Sequence, residues 1–215
     1  MMRKVWLTAN GKEYELLDDL GCIVTNVKIG NAEPKTQKVD IPYGNGTIDL
    51  TEYFGEVRYK NRTIDISCTI RNYAEADAVY SAVSGLFAGR RAQIRTSEDA
   101  GYYYEGRCDV SDLSNNGSLW EFSISADCYP YKRRVTETIV TLSGSGTVTL
   151  ANERMTVNPS FYCTGEATIE AGGASYALAA GQETVFTGLK LTEGETELVV
   201  TTDGELTITY RQGAL

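Results

Sequence analysis

Residues 41–71 read IPYGNGTIDLTEYFGEVRYKNRTIDISCTIR. The second half of this stretch decides the fold class. From Arg62 to Ile70 the residues alternate strictly: Ile64, Ile66, Cys68 and Ile70 fall on one side, Thr63, Asp65, Ser67 and Thr69 on the other. Successive side chains of a strand point to opposite faces, so this run is a strand with one buried and one wet face. The first half is different. Pro42-Tyr43-Gly44-Asn45-Gly46 is turn-rich and leads through Thr47–Asp49 to Thr51 and Glu52. It reads as a long, Gly-rich excursion before the strand.

Outward from this stretch the chain is β-rich. Val5–Ala9 and Lys12–Leu17 flank Asn10-Gly11, a dipeptide that accepts positive φ at both centres of a two-residue hairpin turn. Gly21–Ile29 reads as a strand and Asn31–Lys38, with Pro34, as an exposed loop. After Ile70 the period changes. Val79, Val83, Leu86 and Phe87, with Ala78 and Ala82 between them, give the spacing of an amphipathic helix over about 74–88. Asn72 and Glu75 resemble a capping box, and Gly89 suits the stop. Strands follow at Ala92–Thr96, Tyr102–Val110 and Leu119–Cys128, the last placing Trp120, Phe122, Ile124, Ala126 and Cys128 on one face. Pro130 ends it, and Lys132-Arg133-Arg134 reads as a solvated linker. Beyond, many short strands with frequent turn signals indicate a β-sandwich; Gly172-Gly173 and Asp203-Gly204 read as hairpin turns and Gly144-Ser145-Gly146 as a linker.

Charge supports two domains, 1–134 and 135–215. The first holds 17 basic and 19 acidic side chains, the second 3 and 10. A net charge of −9 argues against a sequence-independent grip on nucleic acid, which needs clustered cations. No apolar run approaches the ~20 residues of a membrane helix. Met1–Trp6 lacks an apolar segment behind its basic residues, so no signal peptide is expected. The five cysteines, Cys22, Cys68, Cys108, Cys128 and Cys163, are odd in number and widely spaced. Cys68 and Cys128 fall on apolar strand faces and read as small buried hydrophobes. A disulfide framework is not expected, and folding in a reducing cytoplasm is the simpler reading.

The chain has no histidine, which removes Ser-His-Asp and Cys-His catalysis and His-ligated zinc. No Cys-x-x-Cys and no phosphate-binding Gly-rich loop occur. The adjacent carboxylates Asp18-Asp19 and Glu98-Asp99 sit by turns, where neighbours diverge. Tyr102-Tyr103-Tyr104 could stack on sugars or bases, but strand packing is the better reading, and Trp6 and Trp120 are expected in the core. No enzyme, cofactor or metal site is expected.

The order of motifs also resembles a known family. Pro42, Gly44, Gly46, Asp49, Leu50, Glu52, Gly55, Val57, Tyr59, Asn61, Arg62 and Thr63, then Asp99–Arg107 (with Gly101, Tyr104, Gly106 and Arg107), then Gly204–Leu215 (with Tyr210, Arg211 and Gly213) together resemble the distal tail (Dit) proteins of long-tailed phages and prophages of Gram-positive bacteria. The chain departs modestly, with Tyr43 where a small or basic residue is common and Ala100 where proline is frequent. The resemblance implies a mainly β fold. Its first part is a ring-forming, tail-tube-like β-barrel or sandwich with one flanking helix. Its second part is a galectin-like β-sandwich projecting outward. It implies a structural protein of the siphovirus tail tip, made in the host cytoplasm. There a homo-hexameric ring joins the tail tube, or proteins on the tail-terminator side, to a tail-fibre or baseplate protein, and DNA passes through without specific binding. Tyr43, Ile48, Leu50, Tyr53 and Phe54 are the candidate arm for ring closure. The alternatives are a monomeric carbohydrate-binding sandwich using Tyr162 or Tyr176, and an adaptor of a non-viral injection machine.

Overall fold

The computed structural model describes residues 3–53, 55–70, 72, 74–117 and 119–215. The fold is mainly β, in antiparallel sheets, with one α-helix among the described residues. The chain divides into two compact units, Met1–Pro130 and Tyr131–Leu215.

The first unit contains β1 (Val5–Ala9), β2 (Lys12–Glu15), β3 (Ile23–Ile29), β4 (Lys38–Asp40), β5 (Thr47–Asp49), β6 (Arg62–Ile70), α1 (Ala76–Phe87), β7 (Arg91–Thr96), β8 (Tyr102–Val110), β9 (Ser114–Asn115) and β10 (Trp120–Cys128). Its sheet runs β2-β1-β7-β8-β10-β6-β3. The β6–β10 ladder is the longest, pairing Arg62 with Cys128 through to Ile70 with Trp120. Its inward rows, Ile64, Ile66, Cys68, Phe122, Ile124 and Ala126, join Val5, Leu7, Ile94 and Cys108 in one core. Asn10 and Gly11 take φ 53° and 77°, as the β1–β2 hairpin turn requires. Arg3, two residues before β1, donates to the carbonyl of Val27 in β3.

Helix α1 packs on this core through Ala76, Val83 and Phe87, with Val79, Tyr80 and Leu86 partly buried. Ala78 and Ala82, expected on that face, are exposed. The expected capping box is absent. Glu75 is the N-cap without a side-chain bond, and Asn72 Oδ1 instead accepts from the amide of Ala74 in a local turn ahead of the helix. Gly89 ends the helix region at φ 69°. Trp6 is also corrected. It shares a strand with Val5 and Leu7 but points the other way, and its ring lies under the Arg95 guanidinium, 4.4 Å from ring centre to carbon. Trp120 does pack against the core, and Tyr103 and Tyr104 are buried.

The second unit contains β11 (Lys132–Arg134), β12 (Thr138–Ser143), β13 (Gly146–Asn152), β14 (Ser160–Cys163), β15 (Ala167–Ala171), β16 (Ala174–Leu178), β17 (Thr184–Val185), β18 (Gly194–Thr202), β19 (Glu205–Tyr210) and β20 (Gly213–Ala214). Two four-stranded sheets, β12-β19-β14-β17 and β13-β18-β15-β16, enclose Leu150, Phe161, Ile169, Leu198, Val200 and Ile208. Lys132–Arg134 is therefore a strand, paired with β20, rather than a linker. Gly144-Ser145, read as linker, is the link between β12 and β13, which lie in different sheets. Asp203-Gly204 does not close a hairpin. It carries the chain from β18 in one sheet to β19 in the other, with Gly204 pressed against Gly165 and Thr164 so closely that a Cβ would fall 2.4 Å from the Gly165 amide. Gly172 and Gly173 do form the expected β15–β16 hairpin, at φ 55° and 82°.

Candidate functional site

The excursion before β6 is a two-stranded ribbon. At its base the Lys60 amide donates to Glu33 O (2.8 Å) and the Lys35 amide to Arg58 O (2.7 Å), with Pro34 bridging Tyr59. Farther out the Leu50 amide donates to Gln37 O (2.8 Å), and β4 pairs with β5, Lys38 opposite Asp49, Val39 opposite Ile48 and Asp40 opposite Thr47. Strands β4 and β5 were not foreseen from sequence. The tip is Ile41–Gly46. Tyr43 takes φ 60°, Gly46 takes φ 86°, and a Cβ on Gly44 would fall 2.7 Å from the Ile41 side chain. The tip thus needs its glycines for both backbone and space.

Asp49 locks the ribbon's far side. Its Oδ1 accepts from the Thr51 amide (2.9 Å) and hydroxyl (2.5 Å), and the same hydroxyl accepts from the Gln37 amide. These bonds, the hydroxyl's first, hold the Asp49 carboxyl below its ordinary pKa. The Tyr53 amide donates to Leu50 O and the Gly55 amide to Glu52 O, so the return leg begins in tight turns.

The ribbon is amphipathic across its two faces. Cross-strand partners share a face, and alternation then places Gln37, Val39, Ile41, Ile48 and Leu50 together, with Lys38, Asp40, Thr47 and Asp49 opposite. Val39, Ile41 and Ile48 are 46 %, 41 % and 52 % exposed, and Leu50 is partly buried. Tyr43, Tyr53 and Glu52 are exposed as well; Phe54 lies outside the described residues. An isolated two-stranded ribbon is marginally stable in water, and exposing three large aliphatics on one side makes it more so.

A second group of motif residues converges although it is scattered in sequence. Asn61, Gly106 and Arg107 line a groove of about 630 Å³ on the outward face of the sheet, beside Thr63, Asp109, Ser125 and Asp127. Asn61 Nδ2 donates to Asp127 Oδ2 (3.0 Å), and Arg107 donates to Gly89 O. Gly106 pairs with Cys128, where a Cβ would lie 2.4 Å from Asp127 O and 2.6 Å from the Cys128 sulfur; no side chain fits there. Arg62 points inward from the next position. It is buried, its guanidinium carbon sits 5.4 Å from the Tyr104 ring centre, and its Nε has no hydrogen-bond partner. Gly101 lies in the turn before β8.

The third group, at the chain end, closes the second unit. Tyr210 donates its hydroxyl to Ala151 O (2.7 Å), and Arg211 donates to the carbonyls of Arg134 and Val135 and pairs with Glu137 (3.0 Å). A Cβ on Gly213 would fall 2.9 Å from Met155 Cε and 3.0 Å from Lys132 O. Of the two stacking tyrosines considered, Tyr176 packs on Phe186 (centroids 5.1 Å apart) and Tyr162 is exposed.

All five cysteines are buried and unpaired. Burial pushes the thiols of Cys22 and Cys128 up to about 12 and Cys108 up to about 11, and raises Cys68 as well, so none of these four is a nucleophile near neutral pH. Among the described residues no group of three or more carboxylate or thiol side chains could hold a metal, and no helix is long and apolar enough to cross a membrane.

These features define a class: a two-unit antiparallel β protein with one α-helix among the described residues, on the first unit, a sandwich for the second, and a two-stranded ribbon before β6. A solved protein of this class is the SPP1 Dit protein (gp 19.1), whose crystal structure is presented as a paradigm of the hub adsorption apparatus in phages infecting Gram-positive hosts. It matches 96 % of this chain and 98 % of its own, with a TM-score of 0.68 at 13 % identity. The chain has the Dit-like fold. A designed double-stranded β-helix matches 37 % of the chain at 20 % identity, with a TM-score of 0.27, too low to bear on the fold. No protein-family model and no curated protein matches the sequence.

Proposed function

We propose that this chain is a structural component of a phage tail tip, a distal tail protein whose copies close into a hexameric ring. The ring joins the tail tube on one side to a tail-fibre or baseplate protein on the other, and double-stranded DNA passes through its hole without specific binding. The protein is made in the bacterial cytoplasm and ends in the virion; it is not an enzyme and needs neither cofactor nor membrane.

The likeness of the whole chain to the SPP1 hub protein carries this reading. The ribbon gives it a physical basis. A ring requires one patch to meet a different patch on the next copy. The apolar face of Val39, Ile41, Ile48 and Leu50, with the exposed Tyr43 and Tyr53 near it in the chain, is one half of such a contact. Burying it against a neighbour would supply what the isolated ribbon lacks, at about 25 cal/mol per Å² of apolar surface covered.

The test is the solution mass across a range of concentrations. A particle of roughly six times the 23.5 kDa chain is expected. A mass of one chain at every concentration, with and without the cognate tail-tube subunit, overturns the ring.

A further inference from the structure

We propose that Asn45, at the tip of the ribbon, is a site of spontaneous covalent modification. Its side chain closes on the amide of Gly46 to a cyclic imide, and water opens the imide to aspartate or isoaspartate. The site follows from the ribbon's geometry alone; its effect on assembly rests on the ring reading.

The chemistry needs an asparagine followed by glycine and a backbone free to bend. The Gly46 nitrogen, deprotonated by base, attacks Cγ of Asn45. A C–N bond forms and closes the ring, the bond from Cγ to the side-chain nitrogen breaks, and ammonia leaves with the proton that the backbone amide gave up. Water then adds to either imide carbonyl. Opening on one side restores the backbone and leaves an aspartate. Opening on the other leaves the chain running through the side-chain carbons, longer by a methylene. Glycine favours the attack because no Cβ shields its nitrogen.

The sequence holds three Asn-Gly pairs, Asn10-Gly11, Asn45-Gly46 and Asn116-Gly117. All three glycines sit in open space, with nothing within 4 Å of where a Cβ would stand, so crowding does not separate them. Backbone restraint does. Asn10 and Gly11 both take left-handed φ in a turn closed by the Ala9–Lys12 pair. Strand β1 is bonded on its other side to β7, with Val5, Leu7 and Ala9 in the core. Reaction at Asn10 requires this turn to unwind against the sheet. At Asn116 both reacting groups are occupied. The Gly117 amide donates to Asn115 Oδ1 (2.6 Å), and the Asn116 carboxamide accepts from the Leu119 amide (3.0 Å) and donates to Glu121 Oε1 (2.9 Å).

Asn45 has neither restraint. It is exposed, its φ is negative, and among the described residues no hydrogen bond engages its carboxamide or the Gly46 amide. The strands behind it, β4 and β5, are exposed at every residue and joined by three pairs. Segments with so few buried contacts open at little cost in free energy, which lets the tip reach the bent geometry.

The product alters the surface assigned to ring contact. Aspartate puts a full charge in the turn between Ile41 and Ile48, and burying a charge against a neighbour costs far more than burying an amide. Isoaspartate lengthens the tip and disturbs the Asp40–Thr47 register. A chain that waits unpartnered therefore loses competence to assemble, whereas a seated ribbon holds its tip and stops the reaction.

The test is peptide mapping by mass spectrometry on the full-length protein held at mildly alkaline pH, with amide-to-acid conversion followed at all three sites in one sample. Asn45 should convert several-fold faster than Asn10 and Asn116, and Asn45→Gln, whose longer side chain closes a ring far more slowly, should lose the fast phase. An Asn45 no faster than the other two overturns the site. In denaturant the three rates should converge; a lead of Asn45 that persists there overturns the geometric cause. For the consequence, partly modified protein is separated by size. Modified Asn45 should be depleted from the particle of ring mass, and Asn45→Asp should lower the particle fraction below that of wild type. Equal modification in both fractions overturns the effect on assembly and leaves the site standing. A single-chain mass for fresh protein under every condition overturns the ring and likewise leaves the site standing.

Discussion

Two exposed surfaces follow one another along the chain, and they are opposites. The ribbon before β6 exposes Val39, Ile41 and Ile48 side by side. The outward face of β6, immediately after it, exposes Thr63 and half-buries Asp65 and Ser67. Both are open to solvent in the single chain. The ribbon, however, loses free energy by staying open, since aliphatic area is held in water. The β6 face does not, because what it exposes is polar and water can hydrate it. Exposure alone therefore does not mark an interface; the composition of what is exposed does.

The comparison can be broken most sharply at its apolar side. Ile48→Asp should reduce the particle to a single chain in light scattering while leaving the thermal midpoint within a few degrees, since Ile48 is half exposed and supports no core. An assembly that survives this change would remove the ribbon from the interface. Next in size is Gly106→Val, which forces a side chain into Asp127 O and Cys128 beneath the polar groove. Overpacking of this kind costs about 1–3 kcal/mol or more, read as a lower denaturant midpoint at unchanged slope. A milder test concerns the buried guanidinium. Arg62→Met keeps the stem's packing on Tyr104 and removes a charge whose Nε lacks a partner, so stability should hold or rise by about 1 kcal/mol. A large loss would mean that Arg62 is paired more strongly than its surroundings indicate.

The smallest effect is titration of Asp49. Its folded pKa is depressed by the Thr51 bonds, so its contribution is full above the unfolded carboxylate value and is lost as pH falls through the folded value. Below about pH 4 the ribbon should loosen before either core. Hydrogen exchange at the Thr51 and Gln37 amides, compared between acid and neutral pH, would reveal it; unchanged protection would refute the lock.

Much of the fold was legible because burial writes a period into sequence. Strands β6, β8 and β10 each bury alternate side chains, and α1 buries one stripe, so their extents were readable within two residues at either end. The errors arise where that link is missing. β4 and β5 bury nothing fully and sit among glycines, so their pairing left no pattern of burial to read. Lys132–Arg134 pairs through its backbone, and its charges hide the strand. At Asp203-Gly204 the local turn chemistry suits a hairpin, but two β-sheets facing each other call for an arch, and only tertiary contact distinguishes them. Trp6 was misplaced because its hydrophobicity outweighed its parity with Val5 and Leu7. At the candidate site, the exposed tip residues could be read from the Gly-rich excursion. The convergence of Asn61 with Gly106 and Arg107 could not, since it depends on the β6–β10–β8 register.

The second unit's first sheet strand, β12, pairs with its last, β19, and β11 before it pairs with β20 after it. On the ribosome this has a consequence. The β2-β1-β7-β8-β10-β6-β3 path of the first unit is complete once residue 128 has emerged, whereas Thr138–Ser143 must wait for residues 205–210 before it can pair. At roughly 5–20 residues per second that wait lasts several seconds. During it, the nascent chain holds a paired first unit attached to an unfinished sandwich. The one can therefore fold before the other exists.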